Sequence, residues 1–388
     1  MLTVRGWVIL GFTASIYVLA DASSFRLLYL LFAALLLVFI FSQITVRRAP
    51  RGFSLSRKLG KNPCNEKTVV DVELTVTTKR YVSGLVLTIE DDLPEGLVRE
   101  GRSSSTSSGQ VYLRQRYRIR AEGRGIYTVG PARVRVADFF GLWTSSFQIG
   151  EGSRLVAYPE HAPVEVFRGR ESTEMMGVST TEQKGASSDF LRIRPYEPGD
   201  EVRTIHWRSS AKTGRLMVRE LEKEEIRSTI IVLNCEESSN RDLGEVFERG
   251  VRIAASIAVS SLRKEMEVKM VLYGEQREIV SSGRGRVQYH RLLSALSAVQ
   301  PGGDTPLSYI LDRLSREGGT GTIHIVTPSM RDRDVKSLSY LIRRGISPAV
   351  VLTAGPDRAN LPEGLLDIQG RVGYPMDMGK RTVISWMN

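Results

Sequence analysis

The residues most able to do chemistry are concentrated between positions 189 and 220, in the sequence DFLRIRPYEPGDEVRTIHWRSSAKTGRLMVRE. Arginines and carboxylates are interspersed there, and such groups form bidentate ion pairs. This composition fits two roles: an internal ion-pair network that joins two domains, or a surface that docks a protein or an anion. We favour the network, because buried ion pairs fix geometry even where they add little stability.

Catalysis has less support in the same stretch. His206 lies close in sequence to Ser209 and Ser210, and a histidine base can activate a serine hydroxyl. Sequence neighbours rarely present their side chains face to face, however, and the chain has no GxSxG motif that would expose a serine nucleophile. The sequence therefore predicts a protein that is not an enzyme.

Turn-forming residues predict how this stretch folds. Pro198 and Gly199 suit the central positions of a turn, because proline fixes φ and glycine accepts a positive φ. Asp200 is placed to cap a short helix through EVRTIHW, and RLMVRELE alternates as a strand with two unlike faces. The stretch lies between a β-rich segment and an α/β segment, and this position favours the joining role.

The first 46 residues predict a transmembrane hairpin. Residues 27–46, LLYLLFAALLLVFIFSQITV, are uncharged and reach the roughly 20 residues that a helix needs to cross a bilayer. Residues 6–20 form a shorter uncharged run. The alternative is a cleaved signal peptide that ends near VLADASS, but a second span follows almost at once, so we favour a hairpin with DASSF at its tip.

The positive charge of the chain is concentrated near this hairpin. The net charge is +11, and residues 1–65 hold eight basic residues and one acidic residue, a surplus of +7 that leaves +4 for the other 323 residues. A juxtamembrane basic cluster suits anionic lipid headgroups, at about 1 kcal/mol per residue. Membrane lipids are therefore expected partners and nucleic acid is not. The positive-inside rule places both ends of the hairpin, and with them the soluble part, in the cytoplasm.

Hydrophobic periodicity divides the rest of the chain. Alternating residues in TVVDVELTVTTKR and VYLRQRYRIRAEG predict antiparallel strands of an all-β sandwich. The apolar runs STIIVLN, EVKMVLYG, TIHIVTP and SPAVVLT alternate with helical stretches and predict an open, doubly wound α/β domain. The predicted protein is therefore multidomain, with a transmembrane helical hairpin at 1–46, a basic juxtamembrane linker at 47–65, the all-β sandwich at 66–165, a junction segment at 166–224 and the α/β domain at 225–388.

The junction sequence LRIRPYEPGDEVRTIHWRSSAKTGRLMVRELE, with DFFGLW and LVAYPE upstream, resembles the signature of the domain of unknown function 58 (DUF58) family. That resemblance implies a membrane hairpin, a β-sandwich and a C-terminal domain similar to von Willebrand factor type A. It also implies a MoxR-type AAA+ ATPase as the partner. The signature residues that are candidates for structural or docking roles are Arg192, Tyr196, Pro198, Gly199, Asp200, Arg203, Trp207, Ser210, Arg219 and Glu220.

The same resemblance raises the question of a metal site. Domains of the von Willebrand type A class usually hold Mg²⁺ through a DxSxS loop, a distant threonine and a further aspartate, and hard oxygen ligands suit that cation. Here Asn234 and Glu236 replace the first aspartate and the first serine of the loop, while Ser238 and Thr305 match, and Pro328 stands where the last aspartate is expected. The four remaining residues could form a weak Mg²⁺ site, but a degenerate loop kept as a docking surface without a cofactor is favoured.

Two functions follow from these observations. The leading hypothesis is a membrane-anchored cytoplasmic adaptor or scaffold for protein–protein interaction, with a MoxR-type AAA+ ATPase as its partner. The alternative is a metal-dependent module that binds an acidic ligand directly through the Mg²⁺ site.

Overall fold

The protein is described from a computed structural model. The structure describes residues 1–23, 25–48, 53–78, 85–101, 105–108, 112–166, 190–197, 200, 202–221, 228–240, 244–274, 277–317, 321–354, 371–378 and 381–387. For residues 78, 105–108, 190–192, 220, 221, 238, 240, 277, 371–378 and 381–387 the description is limited to the backbone. The chain forms two compact units, Met1–Glu160 with Leu293–Ala298, and His161–Leu292 with Val299–Asn388.

Two apolar helices begin the first unit: α1, Val4–Ser23, and α2, Arg26–Arg47. Both are long and apolar enough to cross a membrane, and most of their large apolar side chains are exposed. A helix that is apolar on all sides and is not packed into a protein core is typical of a membrane span. The two predicted spans are thus confirmed as helices of suitable length and composition.

Three sheets follow among the described residues of the first unit. Their strand orders are β1-β3-β7-β5, β10-β9-β4-β6 and β2-β11-β8. The strands are β1 Phe53–Leu59, β2 Cys64–Asn65, β3 Val69–Thr78, β4 Leu85–Asp91, β5 Leu97–Glu100, β6 Ser105–Ser108, β7 Tyr112–Ala121, β8 Gly125–Val129, β9 Ala132–Asp138, β10 Thr144–Ile149 and β11 Ser153–Tyr158.

The alternation in the sequence explains how these strands bury one face. In β7 every second residue is buried, from Leu113 through Tyr117 to Ala121, because successive side chains of a strand point to opposite faces. β7 pairs with β3 in antiparallel register, with Val72 opposite Tyr117. The predicted antiparallel strands are therefore confirmed.

The segment predicted as a basic linker, 47–65, is partly a strand. β1 pairs with β3 over its whole length, and Arg57 is buried instead of facing lipid headgroups. Its Nε donates to Asp91 Oδ2 at 2.9 Å, and the side chains of Arg57 and Asp91 are both almost fully buried. Tyr117 also donates to Asp91, and burial, with this hydrogen bond second, raises the pKa of Tyr117. The linker prediction failed here because it treated Arg57 as part of a surface cluster, whereas a buried carboxylate provides its partner.

The second unit begins with a small hairpin. Strands β12, Phe190–Pro195, and β13, Met217–Leu221, pair in antiparallel register. A 3-10 turn at Val202–Thr204 and a short helix, α3, Trp207–Thr213, lie between them in sequence. The junction segment thus folds in its described part as a strand–turn–helix–strand motif.

A seven-stranded sheet occupies the rest of the second unit, in the order β16-β15-β14-β17-β18-β19-β20. Neighbouring strands from β15 to β19 are parallel, and β16 and β20 add antiparallel edges. The strands are β14 Ser228–Leu233, β15 Glu267–Tyr273, β16 Arg277–Gly283, β17 Thr322–Thr327, β18 Ser347–Leu352, β19 Arg371–Met378 and β20 Arg381–Met387; the helices are α4 Glu237–Asn240, α5 Gly244–Arg263, α6 Gly285–Ala298, α7 Leu307–Glu317 and α8 Asp332–Arg343. An α/β region with a parallel sheet is thereby confirmed.

The central strand β17 carries a buried histidine, His324, in a largely apolar setting. All six of its residues are buried, and His324 is 0% exposed. Among the described residues, neither ring nitrogen of His324 has a hydrogen-bond partner. Burial therefore lowers the pKa of His324 from 6.5 to about 4, because the charged imidazolium would lose its hydration.

Candidate functional site

The strand–turn–helix–strand motif from β12 to β13, which carries the signature sequence, is called the signature hairpin. Asp200 closes its turn. Its carboxylate accepts two hydrogen bonds from Arg194, from Nη1 at 2.8 Å and from Nη2 at 2.7 Å. The same carboxylate accepts the backbone N–H of Glu197 at 2.9 Å, and the Asp200 N–H donates to the Glu197 carbonyl. This bidentate pair holds the chain reversal in place. Sequence reasoning included Arg194 among the arginines of the stretch but did not select it as a site residue.

The short helix predicted through EVRTIHW is, in its described part, a 3-10 turn at Val202–Thr204, and the capping role of Asp200 stays a prediction. Helix α3 begins after His206, whose Nδ1 accepts the N–H of Ser209 at 3.3 Å, and the helix ends at Gly214 with a left-handed φ of 66°. His206 Nδ1 also lies 2.8 Å from Ser209 Oγ. The side chains of His206 and Ser209 therefore do face each other, contrary to expectation. His206 Nδ1, which contacts the Ser209 hydroxyl, also accepts the Ser209 backbone N–H, and this is the hydrogen bonding of an N-cap residue.

Ser210 joins the helix to the second strand of the hairpin. It is buried, its Oγ accepts the Met217 N–H at 2.8 Å, and it donates to the His206 carbonyl at 3.1 Å. The His206 N–H donates in turn to the Met217 carbonyl. Ser210 and Asp200 are thus internal supports of the motif.

Other signature residues face outward. Trp207 is 64% exposed, and the side chains of Arg203 and Arg219 are exposed as well. Tyr196 is half-buried, and its N–H donates to the Leu216 carbonyl. Pro198 and Gly199, and the side chains of Arg192 and Glu220, lie outside the described residues. The joining role between domains therefore stays a prediction, while the motif itself presents an exposed tryptophan with two arginines.

The second group of candidate residues lies where the large sheet changes direction. From β14 the chain proceeds to β15 on one side and later to β17 on the other, and open α/β sheets bind ligands at the carboxyl ends of the strands at such a point. Asn234 follows β14 directly and donates through Nδ2 to Thr327 Oγ1 at 3.0 Å, at the end of β17. Asn234 Oδ1 accepts the Glu236 N–H at 3.0 Å. Asn234 thus spans the two strand ends.

Glu236 forms an ion pair across this edge. Its Oε1 accepts from Arg331 Nη1 at 3.0 Å, and its Oε2 accepts from Ser239 Oγ at 3.1 Å. Arg331 Nη2 also donates to Ser239 Oγ at 3.2 Å. The Glu236 side chain is 10% exposed and that of Arg331 is 49% exposed. Sequence reasoning missed Arg331, which is 95 positions away from its partner.

Arg331 is held at the start of α8. Its backbone N–H donates to Asp334 Oδ2 at 2.9 Å, which forms part of a capping box. Burial, as the largest effect, raises the pKa of Asp334. The position of Arg331 is therefore fixed by the helix start as well as by Glu236.

A glycine-containing loop completes the edge. The N–H groups of Gly302 and Gly303 donate to the Cys235 carbonyl, and the Glu237 N–H donates to the Gly303 carbonyl. A Cβ at Gly303 would lie within 1.9 Å of the Tyr273 carbonyl oxygen, so this close approach requires glycine. Thr305 follows two positions later and is buried.

Three of the four predicted metal ligands, Asn234, Glu236 and Thr305, therefore lie at or next to this edge; the side chain of Ser238 is outside the described residues. The oxygens of Asn234 and Glu236 accept hydrogen bonds from protein donors. Arg331 places a positive charge on the carboxylate that a divalent cation would need. The arrangement thus fits a divalent cation poorly, and the Mg²⁺ site stays a prediction.

Comparison with known proteins agrees with the signature. Residues 192–363 match the model of the family described as "Protein of unknown function DUF58". This segment is therefore similar to the DUF58 family. The DUF58 segment contains both the signature hairpin and the carboxyl edge of the sheet.

One relative extends the similarity beyond the DUF58 segment. The "Uncharacterized protein YeaD" of Bacillus subtilis (strain 168) is 23% identical over 344 residues, which cover 84% of this chain and 82% of that protein. Among solved structures, an aerotolerance-related membrane protein from Bacteroides fragilis is 17% identical, covering 42% of this chain and 82% of its own, with a TM-score of 0.26. A FixG-related protein from Vibrio parahaemolyticus is 12% identical, covering 28% and 98%, with a TM-score of 0.20. Likeness at these TM-scores supports no inference.

Proposed function

We propose that this DUF58 protein is a membrane-anchored cytoplasmic adaptor or scaffold that binds a protein partner at the carboxyl edge of its parallel sheet. The observation that carries the proposal is the Glu236–Arg331 pair at the switch point of the sheet. Half of the Arg331 side chain stays exposed while its guanidinium is held in place. A fixed and accessible arginine suits a carboxylate or a carbonyl group of a protein partner.

The shape of this edge also favours a macromolecule over a small ligand. The space between Asn234, Thr327 and Thr353 is too closely packed to admit a water molecule, whereas sites for small molecules and cofactors usually occupy about 300–1,000 Å³. A shallow surface of this kind is typical of protein–protein recognition, in which side chains protrude into the partner.

In this proposal the first unit is a β-sandwich, and the sheet of the second unit is similar to von Willebrand factor type A. Arg331 then takes the electrostatic place of the cation of that class, so partner binding needs no metal. A MoxR-type AAA+ ATPase is the partner class that the family resemblance implies.

Crosslinked affinity purification from the native membrane tests the proposal. The full-length protein, Arg331→Ala and Arg343→Ala are compared with and without Mg²⁺ and ATP, and partners are identified by mass spectrometry. Arg343 is a matched control, because it is an exposed arginine at the opposite end of α8. Nucleotide-dependent recovery of an AAA+ ATPase with wild type and Arg343→Ala, but not with Arg331→Ala, supports the proposal. Equal recovery of the ATPase with wild type, Arg331→Ala and Arg343→Ala would show that the docking surface does not include Arg331. Failure to recover any AAA+ ATPase would reject the partner class.

The alternative function is metal-dependent binding of an acidic ligand. The convergence of Asn234, Glu236 and Thr305 at one edge favours it, and the Arg331 charge opposes it. Calorimetric titration of Mg²⁺ or Mn²⁺ into the detergent-solubilised protein decides. Saturable heat that Thr305→Ala removes establishes the alternative, and the absence of heat rejects it.

The cytoplasmic location is tested separately. A single cysteine at Phe25, between the two helices, is expected to react with a membrane-impermeant maleimide added outside intact cells. The native Cys64 and Cys235 are buried, so they give little background. Labelling of Phe25→Cys only after cell lysis would place the soluble units outside.

A further inference from the structure

The turn between β9 and β10 is bonded to both ends of the helical hairpin. Ser42, in the last part of α2, donates to Asp138 Oδ2 at 2.6 Å, and both residues are buried. At the start of the chain, the Thr3 N–H donates to the Leu142 carbonyl at 2.9 Å, and Thr3 Oγ1 donates to the Gly141 carbonyl at 2.6 Å. The position of the turn relative to the helices is therefore fixed within the first unit.

Asp138 also makes the turn rigid. Its Oδ1 accepts the Trp143 N–H at 2.6 Å, and its Oδ2 accepts the Phe140 N–H at 3.0 Å. Trp143 packs on Phe39 of α2, with the ring centroids 5.3 Å apart. The sequence DFFGLW thus forms a closed turn on the side of α2.

The helix lengths give the depth of this turn in a bilayer. α1 has 20 residues and α2 has 22, and at about 1.5 Å per residue neither is much longer than the roughly 30 Å of hydrocarbon that a span must cross. Both helices must therefore use nearly their whole length in the membrane. Ser42 lies only five residues before the end of α2, about 7.5 Å along its axis. In a bilayer that both helices cross, the turn bonded to Ser42 would consequently lie at the membrane boundary and not in bulk water.

Two aromatic side chains project from the turn at this depth. Phe139 is 70% exposed and Phe140 is 51% exposed, and their rings meet edge to face at 5.5 Å. Trp7, in the second turn of α1, is another exposed aromatic residue near the same end of the hairpin. Arg5, Arg47 and Arg48 supply positive charge there. Aromatic rings beside basic residues are typical of the boundary between hydrocarbon and headgroups.

We propose that Phe139 and Phe140 insert into the lipid bilayer and form a third membrane contact beside the two helices. The occupant of this apolar surface is lipid at the level where acyl chains meet headgroups. The insertion fixes the orientation of the β-rich unit on the membrane, independently of which protein the DUF58 segment binds.

Fluorescence of a polarity-sensitive nitrobenzoxadiazole label tests this proposal in the full chain. Phe139→Cys and Phe140→Cys are each labelled, and Ile126→Cys is the matched control, since Ile126 is an exposed apolar residue of the same unit on a different strand, β8. The wild-type chain, whose two cysteines are buried, provides the labelling blank. The proteins are reconstituted into vesicles of phosphatidylcholine and phosphatidylglycerol, with or without lipid that carries a nitroxide near the headgroup.

Labels at positions 139 and 140 are expected to emit at shorter wavelength than the label at position 126. The nitroxide lipid is expected to quench them at least about twice as strongly as it quenches the label at position 126. Because no partner protein is present, such quenching is due to lipid. Emission and quenching at 139 and 140 equal to those at 126 would overturn the proposal. The two exposed positions are tested independently, so a folding defect in one variant leaves the other to decide.

Discussion

Arg331 Nη1 lies 3.0 Å from Glu236 Oε1, so an arginine neutralises the carboxylate at the switch point of the sheet. Removing the guanidinium leaves a largely buried Glu236 with fewer donors. Arg331→Ala is expected to lower the free energy of unfolding of the second unit by about 1–2 kcal/mol, a value kept small because half of the arginine side chain is solvated. It is also expected to raise the affinity for Mg²⁺ relative to wild type, because a competing positive charge is lost. Calorimetry measures the affinity, Arg343→Ala is the control, and unchanged Mg²⁺ affinity would show that Arg331 does not act as a substitute cation.

The signature hairpin separates internal supports from exposed residues, and this division predicts different phenotypes. Asp200→Asn removes the charge that accepts both Arg194 hydrogen bonds and is expected to destabilise the hairpin by about 1–3 kcal/mol. Trp207→Ala and Arg203→Ala should change stability by no more than about 0.5 kcal/mol. If the exposed residues dock a partner, these two variants fold normally and lose partner capture. Thermal melting with affinity purification measures both properties, and a Trp207→Ala or Arg203→Ala protein that melts well below wild type would instead support the joining role.

His324 makes stability depend on pH. Its pKa is about 4 in the folded protein against 6.5 for an ordinary histidine, so below pH 6.5 the unfolded chain binds a proton that the folded chain does not. The stability contributed by the neutral ring is thus full above pH 6.5 and is lost as pH falls toward 4, at up to about 1.4 kcal/mol per pH unit. His324→Leu should flatten the melting temperature of the second unit in that range. His290→Gln, at a partly exposed histidine of the same unit, is the comparison variant, and an unchanged slope in His324→Leu would contradict the assignment.

The buried pair of Arg57 and Asp91 predicts an asymmetry between single and double variants. Arg57→Met leaves an unpaired buried carboxylate and is expected to cost about 3–5 kcal/mol. The double change Arg57→Met with Asp91→Leu removes both charges and should recover much of that loss. Hydrogen exchange read by mass spectrometry follows the first unit separately from the second. A double variant as unstable as Arg57→Met would show that packing, and not the unpaired charge, sets the cost.

Much of the secondary structure can be predicted from the sequence, because the hydrophobic period and the composition of a short segment determine whether it forms a helix or a strand. The apolar run of α2, the alternation of β7 and the β-branched run of β14 each contain their own signal. The position of Arg57 could not be predicted in this way, because its partner Asp91 belongs to a different strand. The ion pair of Arg194 with Asp200 could not be predicted in this way either, because Arg194 belongs to β12 and Asp200 follows that strand after a turn.

The candidate site was predictable only in part for a related reason. Asn234, Glu236 and Thr305 were found through the resemblance to a metal-binding loop. The relation between Glu236 and Arg331 depends on which strand lies next to β14, and strand order is not encoded in any short segment. The exposed position of Trp207 likewise follows from how α3 packs on β13.

Both ends of the helical hairpin formed by α1 and α2 are attached to the β-rich part of the first unit. The Thr144 N–H donates to the Met1 carbonyl at one end, and at the other end α2 is followed after five residues, 48–52, by β1, which pairs with β3 along seven residues. Tension applied to the soluble part is therefore shared by both helices. Under the proposed function, an ATPase that pulled on this protein would have to extract the two helices together or first separate β1 from its sheet.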